Sequence, residues 1–255
     1  MNEKRSLDNE DRINPVISLP ALLLILAAAA GGALAAAIAL PSWLPGLQNS
    51  LTGSAPQVFW YLARSSALVA YIMLWISMCL GLLISNKLAK LWPGGPTAVD
   101  LHQFTSILGL VLALFHGLIL TGDRYLKASL GQVLTPFALA QYHPFWVGLG
   151  QLGFYLMAGV TFSFYIRKAL THSTWRALHY LSFAAYLFAL IHGIGSGTDQ
   201  SAVGFQMVYW STGGVFLFLM VYRIVASLFQ PSKSTGSRDR HSSKDRSRAA
   251  ADHTA

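Results

Sequence analysis

The chain alternates between long apolar segments and shorter polar ones. A helix needs about 20 apolar residues to cross a hydrocarbon core about 30 Å thick. The six segments that come close to or exceed this length cover 19–40, 58–84, 101–120, 145–166, 177–194 and 206–229. This pattern predicts an all-α fold, a polytopic membrane bundle of six transmembrane helices in one domain that covers residues 19–229.

The first apolar segment has a second interpretation, because a signal peptide also begins with an apolar stretch. This segment is longer than the usual apolar core of about 7–15 residues, and residues 1–18 before it are polar but not clearly positive. We therefore interpret 19–40 as a true span. Its many alanines and glycines suit close packing between membrane helices.

The composition supports a membrane protein and sets the two ends apart. Charged residues make up 11% of the chain and hydrophobic residues 54%, whereas soluble domains carry about 25% charged residues. Residues 230–255 form a basic tail rich in Ser, Arg, Lys and Asp, which we expect to be disordered because it has few large apolar residues. The tail could lie against anionic lipid headgroups or stay in solvent. Membrane lipid is an expected partner, and nucleic acid is not.

The positions of the basic residues predict the orientation. If the N-terminus is cytoplasmic, 15 of the 18 Lys and Arg residues fall in cytoplasmic segments. Only Arg124 and Lys127 fall in outer segments, and Arg64 lies within the outer part of the second span. Membrane proteins concentrate Lys and Arg on the cytoplasmic side. We therefore expect both termini to be cytoplasmic, in a multi-pass protein of the cell (plasma or inner) membrane.

Four of the eight histidines lie within two spans. The third span reads LHQFTSILGLVLALFHG, with His102 and His116, and the fifth reads LHYLSFAAYLFALIHG, with His179 and His192. At a rise of about 1.5 Å per residue, the two histidines of each span are about 20 Å apart along the axis. Both spans run in the same direction, so His102 should be level with His179 near the cytoplasmic side, and His116 with His192 near the outer side.

Imidazoles at the same depth in the membrane limit which ion or cofactor they could bind. A lone histidine in an apolar helix is often a packed core residue, but four at two matched depths are hard to explain by packing, and ionisable residues inside membranes are usually functional. Zinc would need further ligands, and no thiolate or carboxylate lies at these depths. Haem needs only two axial ligands and an apolar cavity. The pattern therefore favours two bis-histidine haems and electron transfer.

The rotation around the helix axis is less regular. Fourteen residues return within about 40° of the starting face of an ideal helix, whereas thirteen miss it by about 140°. His179 and His192 therefore do not share a strict face. A bend in the helix, or two cofactors approached from different sides, would reconcile the spacing, and the sequence leaves both open.

These paired spans resemble the ferric reductase-like transmembrane domain. That superfamily includes membrane ferric reductases, the membrane half of NADPH oxidases, and bacterial haem subunits that feed periplasmic methionine-sulfoxide reductases. Three further stretches are similar to its bacterial single-domain branch: YLARSSALVAYIMLWISMCLGLL (61–83), WRALHYLSF (175–183) and GIGSGTD (193–199). The resemblance covers roughly residues 57–229. It implies b-type haems and electron flow from the cytoplasmic to the outer side, with axial ligands at His102, His116, His179 and His192.

The chain differs from the large reductases after Phe229. No G-x-G-x-x-G segment with a following βαβ pattern appears there, so we expect an oxidoreductase membrane subunit without its own flavin or NAD(P)H domain. A separate flavoprotein, a quinol or a free flavin would supply the electrons. Ferric chelates, oxygen, a periplasmic enzyme and a partner redox protein all stay open as the external acceptor.

Several other residues are candidates with two interpretations each. Arg64 could pair with a propionate of the outer haem, or it could be an interfacial arginine that extends its charge to the surface. The loop residues Asp123, Asp199, Tyr142 and His143 could offer ligands to a ferric substrate or simply be solvated. Phe183 and Tyr186 could fill the space between the haems or serve only as core.

A metal or proton transporter that uses the histidines as ligands or as a relay is the alternative function. Paired acidic residues within the spans would favour it, and the spans contain none. Gly or Pro breaks near the midplane would favour it as well. The third and fifth spans have no proline, and Gly109 is the only glycine between their paired histidines.

Overall fold

The structure is a computed structural model that describes residues 14–43, 58–86, 88–90, 94–123, 125–197 and 201–229. The predictions for residues 1–13, the basic tail 230–255, Arg124 and Asp199 lie outside the described residues. The described residues divide into two units, one that ends at Met220 and one that covers 221–229. The first unit contains all the helix pairs and site residues discussed below.

The described residues form seven α-helices, three short 3-10 helices (Leu88–Lys90, Leu120–Gly122 and Arg167–Ala169) and no strand. The helices are α1 Leu19–Trp43, α2 Val58–Ser85, α3 Gly95–Ile119, α4 Leu130–Leu134, α5 Pro144–Tyr165, α6 His172–Ser196 and α7 Val203–Leu228. All except α4 are long and apolar enough to cross a membrane. The predicted all-α chain with six membrane-length helices is confirmed, and the multi-pass membrane protein it implies is supported.

Two helices begin at least five residues earlier than the hydropathy pattern predicted. α3 starts at Gly95, and Pro96 lies in its first turn, where a missing N–H costs no intrahelical hydrogen bond. Gly94, just before it, has a φ of 105° that favours glycine. α6 starts at His172, with the Thr171 hydroxyl accepting a hydrogen bond from the Thr174 N–H at 3.2 Å. Both early turns are polar, so hydropathy does not detect them.

The long helices pack as two consecutive pairs. α2 packs along α3, and α5 packs along α6. α1 lies against α3, while shorter contacts join α2 to α6 and α3 to α5. The two histidine-bearing helices, α3 and α6, are not among the closely packed pairs of the described chain. A space therefore separates the helices that carry the four candidate ligands.

A buried cluster fills the centre between the helix pairs. Its large members include Tyr71 and Leu110, which come from the first pair, and Met157 and Tyr186, which come from the second. Tyr186 is 0% exposed. Because this cluster is apolar apart from a few hydroxyl groups, it separates the two ends of the bundle with packed side chains.

Candidate functional site

The four histidines of the spans meet in the two expected pairs. The ring centroids of His102 and His179 are 6.0 Å apart, with the ring planes at 63°. The centroids of His116 and His192 are 6.2 Å apart, with the planes at 65°. Each pair therefore contains one ring from α3 and one from α6, and the two pairs lie at opposite ends of the bundle centre.

These separations are compatible with two imidazoles that share one metal ion. Imidazole nitrogens coordinate metals at about 2.0–2.1 Å, and a ring centroid lies about 1.1 Å behind its nitrogen, so two such ligands have centroids about 6.3 Å apart. Aromatic rings in direct contact have centroids about 4.5–7 Å apart. The distance between the rings therefore fits both a shared metal and packing of one ring on the other.

Three of the four rings are held by backbone carbonyls of a neighbouring helix. The pairs are His102 with Ser77 (2.9 Å), His116 with Ala63 (2.8 Å) and His192 with Trp146 (3.0 Å). A carbonyl only accepts, so each Nδ1 must carry the proton and donate. The Nε2 atom is then unprotonated and available to a metal. In known metal sites, a ligating histidine usually donates its other ring N–H to such a partner, which fixes the tautomer in the same way. In the part of the chain that the structure describes, no Nε2 of the four makes a hydrogen bond.

His179 is held differently, by its own helix. Its ring stacks on Trp175, one turn earlier in α6, at a centroid distance of 5.2 Å and an angle of 29°. His192, at the other end of α6, is held by α5 instead. The two rings are thus fixed by different neighbours, Trp175 of the same helix and the Trp146 carbonyl of α5. The indole Nε1 of Trp175 is buried without a hydrogen-bond partner among the described residues.

Two glycines lie beside the rings, and one of them is required for a close approach. A Cβ at Gly150 of α5 would lie 2.6 Å from Cγ and Nδ1 of His192, too close for any real contact. A Cβ at Gly81 of α2 would lie 3.4 Å from Cε1 of His102, an ordinary contact. Gly159, also in α5, has no neighbouring atom within 4 Å of its Cβ position. α5 therefore reaches the His116–His192 pair only because residue 150 is glycine.

A cavity of about 330 Å³ lies beside the His116–His192 pair. Both rings and the Arg64 side chain line it, and most of the other lining side chains are apolar. The Arg64 guanidinium lies over the Trp60 ring at 4.0 Å from its centroid and 5.6 Å from the Phe205 ring centroid. Arg64 thus lines the cavity beside the His116–His192 pair, and its pairing with a haem propionate stays a prediction.

Residues 125–142, which connect α3 to α5, form part of the wall of this cavity, and we call them the cover. Leu126, Val133, Leu139 and Tyr142 of the cover line the cavity. The cover has a small apolar core of its own, in which Leu126, Ala128 and Leu139 are all buried. A connection with its own core is an ordered part of the structure rather than a loose loop.

The outer-loop candidates do not form an exposed set of ligands. Asp123 is 6% exposed, and its Oδ1 accepts a hydrogen bond from the Tyr125 N–H at 2.8 Å, which caps a turn. The Tyr142 hydroxyl donates to the Ser196 carbonyl at 2.8 Å, and burial raises the pKa of this phenol. His143 precedes the first residue of α5 with a φ of 39°. Asp123 and Tyr142 hold local structure, unlike the solvent-facing ligands that the sequence suggested.

Hydroxyl groups are linked in the region between the two histidine pairs. The Tyr71 hydroxyl is 3.2 Å from that of Tyr186 and 2.5 Å from that of Thr212, and the Trp75 indole N–H donates to the Thr212 carbonyl at 3.1 Å. Phe183 stacks near Phe216 at 6.1 Å. Tyr186 therefore belongs to the buried centre of the bundle. The sequence interpretation of Tyr186 as a core residue expected this position.

The donor set of the described residues suits a cofactor that brings most of its own ligands. Those residues contain no group of three or more His, Cys, Asp or Glu side chains able to hold a bare metal ion. Each histidine pair offers two nitrogens only, and the cavity around one pair is mainly apolar. A metalloporphyrin requires this combination of two axial ligands and an apolar surround.

Comparisons with known protein families, with curated proteins and with solved structures find no match to this chain. The resemblance to ferric reductase-like domains rests on the motifs alone.

Some functional atoms gave no signal in the sequence. The carbonyls that hold the rings are backbone atoms, which every residue possesses, so no residue type marks them. Gln151, which lines the cavity, did have a signal, because an amide side chain inside an apolar span usually bonds to another part of the protein.

Proposed function

We propose that the chain carries electrons across a membrane through two b-type haems, one held by His102 and His179 and the other by His116 and His192. The observation that carries this proposal is the two imidazole pairs with ring centroids 6.0 and 6.2 Å apart. These are the distances expected for two axial ligands of one metal. The mainly apolar cavity at the second pair supports the same conclusion.

Haem, when bound, would supply a one-electron Fe(III)/Fe(II) couple at each pair. The residues of the chain would determine how it is held. The carbonyls of Ser77, Ala63 and Trp146 keep three rings in the tautomer and orientation that present Nε2, and such partners also raise the basicity of the ligand. Two histidines per iron close both axial positions, which favours electron transfer over oxygen binding at the metal.

The surroundings of the two pairs would complete the sites. Arg64, on the cavity wall, would present a guanidinium to a haem carboxylate, a geometry that Arg matches well. Tyr71, Tyr186 and Thr212 occupy the interval between the pairs with hydroxyl groups bonded to one another. The spans contain no paired acids, and proton relays in membranes usually use chains of Asp, Glu or His, so the lack of such a chain favours electron transfer over a proton relay.

The orientation follows from the distribution of Lys and Arg, and transfer from the cytoplasmic to the outer side is what the resemblance to ferric reductase-like domains implies. We place both termini in the cytoplasm, so that the His102–His179 pair faces the cytoplasmic side and the His116–His192 pair faces the outer side of the cell membrane. A flavoprotein, a quinol or a free flavin would donate electrons on one side, and an external acceptor would receive them. The chain would act as a ferric reductase-like membrane subunit.

A pyridine haemochrome assay on protein from haem-replete cells tests the proposal. We expect about two b-type haems per chain and a Soret band that shifts on reduction. Protein that carries no haem would refute the proposal. Transport of a metal or of protons by haem-free protein in liposomes would favour the transporter instead.

A further inference from the structure

The cover is attached to the membrane part of the fold chiefly through one side chain, Gln151 of α5. Its Nε2 donates to the carbonyls of Gln132 and Val133 at 2.8 and 2.7 Å. Its Oε1 accepts from the Phe137 N–H at 3.0 Å. One amide thus makes three hydrogen bonds to the cover, and it also lines the cavity beside the His116–His192 pair.

Hydroxyl and amide groups reinforce this attachment. The Tyr155 hydroxyl, one turn further along α5, donates to the Leu134 carbonyl. The Gln141 side chain donates to the Leu126 carbonyl at 3.1 Å within the cover. The Tyr142 hydroxyl joins the end of the cover to α6 through Ser196. The cover is therefore bonded to both helices of the second pair.

The backbone of this region is held in conformations that residues with a side chain rarely adopt. In the described chain, the non-glycine residues with a left-handed φ are Lys127 (47°), Phe137 (65°) and His143 (39°), and all three lie in or next to the cover. For a bulky residue such as Phe137 this is an outlier that the surroundings must impose. The Gln151 side chain accepts a hydrogen bond from the Phe137 N–H. The Phe137 ring occupies the space that a Cβ at Gly148 would need.

We propose that the cover is a fixed barrier beside the His116–His192 pair and that Gln151 is the positioning residue that keeps it in place. Molecules on that side of the membrane then reach the pair only when the cover is displaced. The consequence for electron transfer rests on the proposed function. An acceptor would receive its electron at the surface of the cover, and small molecules would be kept from the site itself.

Thiol labelling measures the barrier without relying on haem. Cys79 is the only cysteine, so Cys79→Ala gives a thiol-free background. Leu120 packs against the core of the cover and lines the cavity, so Leu120→Cys reports on displacement of the cover. The reagent is a charged methanethiosulfonate that does not cross membranes. Tyr125→Cys, at a position that is 84% exposed, gives the rate for an open thiol.

We expect the Leu120→Cys reporter to react much more slowly than the Tyr125→Cys reference. Adding Gln151→Leu, which removes three hydrogen bonds of the cover, should raise the reporter rate by about tenfold or more. Gln206→Leu makes the same change at an exposed position in α7 and should leave the rate unchanged. Equal rates for reporter and reference, or no acceleration by Gln151→Leu beyond Gln206→Leu, would overturn the proposal.

Tyr155→Phe decides the question if the Gln151→Leu protein does not accumulate. It removes one hydroxyl from the attachment of the cover and should raise the reporter rate severalfold, whereas an unchanged rate would count against the barrier. The labelling is repeated on protein from haem-depleted cells. Acceleration by Gln151→Leu in a protein that carries no haem even when it is made in haem-replete cells would support the cover and contradict the proposed function. Two bound haems, with no acceleration of labelling by Gln151→Leu, would contradict the proposed barrier and leave the proposed function standing.

Discussion

Replacing Gly150 with alanine should remove one haem by adding a single methyl group. The new Cβ would lie 2.6 Å from Cγ and Nδ1 of His192, whereas ordinary carbon contacts need about 3.4 Å or more. The imidazole, α5, or both must therefore move by about 0.8 Å in total. Distances at a metal site are held to about 0.2 Å. The required movement is several times this tolerance, so His192 should no longer reach the metal that it shares with His116.

The neighbourhood of His192 makes adjustment difficult. Its Nδ1 donates to the Trp146 carbonyl at 3.0 Å, four residues before Gly150 on the same helix, so moving the ring away from α5 stretches this bond. Gly159→Ala is the matched control, since it adds the same methyl to the same helix with no atom within 4 Å. Alanine favours helix over glycine by about 1 kcal/mol, so neither substitution should destabilise α5 through propensity.

The assay is the haem-to-protein ratio, together with a redox titration of the α-band. We expect Gly150→Ala to lower the ratio from about two to about one and to remove one component of the titration, while Gly159→Ala keeps both. A Gly150→Ala protein with two haems and unchanged potentials would refute the assignment of a haem to the His116–His192 pair. Loss of both haems in the Gly159→Ala control would show that the assay reports folding instead.

Three further outcomes follow from the same geometry. His179→Ala should remove the haem of its pair and leave the other, lowering the ratio to about one, and a ratio that stays at two would contradict the pairing. Gly81→Ala should keep both haems, because its Cβ would make an ordinary contact of 3.4 Å with His102, and haem loss would contradict that contact. Burial raises the pKa of Tyr142, so the stabilisation from its protonated hydroxyl is complete below about pH 10 and is lost as pH rises through the raised pKa. Amide exchange in the cover, corrected for its intrinsic catalysis by hydroxide, should then show a loss of protection at high pH in the native chain but not in Tyr142→Phe, and identical corrected profiles would exclude the phenol as the cause.

The sequence carried enough information for the spans and for the pairing of the histidines. Hydropathy reports burial in lipid, and a fixed helical rise converts the spacing of His102 and His116 into depth. The early starts of α3 and α6 were not predicted, because their first turns are polar and hydropathy does not respond to capping. How a spacing of thirteen residues serves two sites also required the structure, since it depends on Trp175 and α5 as different supports.

The fine positioning of the site could not be obtained from residue types. The chain has 22 glycines, and nothing in the sequence distinguishes Gly150, which lies against a ring, from Gly159, which faces open space. The cover was interpreted only as an outer loop. Its order arises from Gln151 bonding to backbone atoms nineteen, eighteen and fourteen residues away, and such pairings are fixed by three-dimensional packing.

The division of the bundle into two helix pairs bears on how the protein would be made in the cell. α2 with α3, and α5 with α6, are each neighbours in the chain and pack closely, so each can form as a hairpin soon after it enters the membrane. Each hairpin supplies one imidazole to each histidine pair, so the proposed cofactor would join the two halves. A ligand that binds only the joined state stabilises it by mass action. The supply of haem during synthesis would then set how much of the protein escapes degradation.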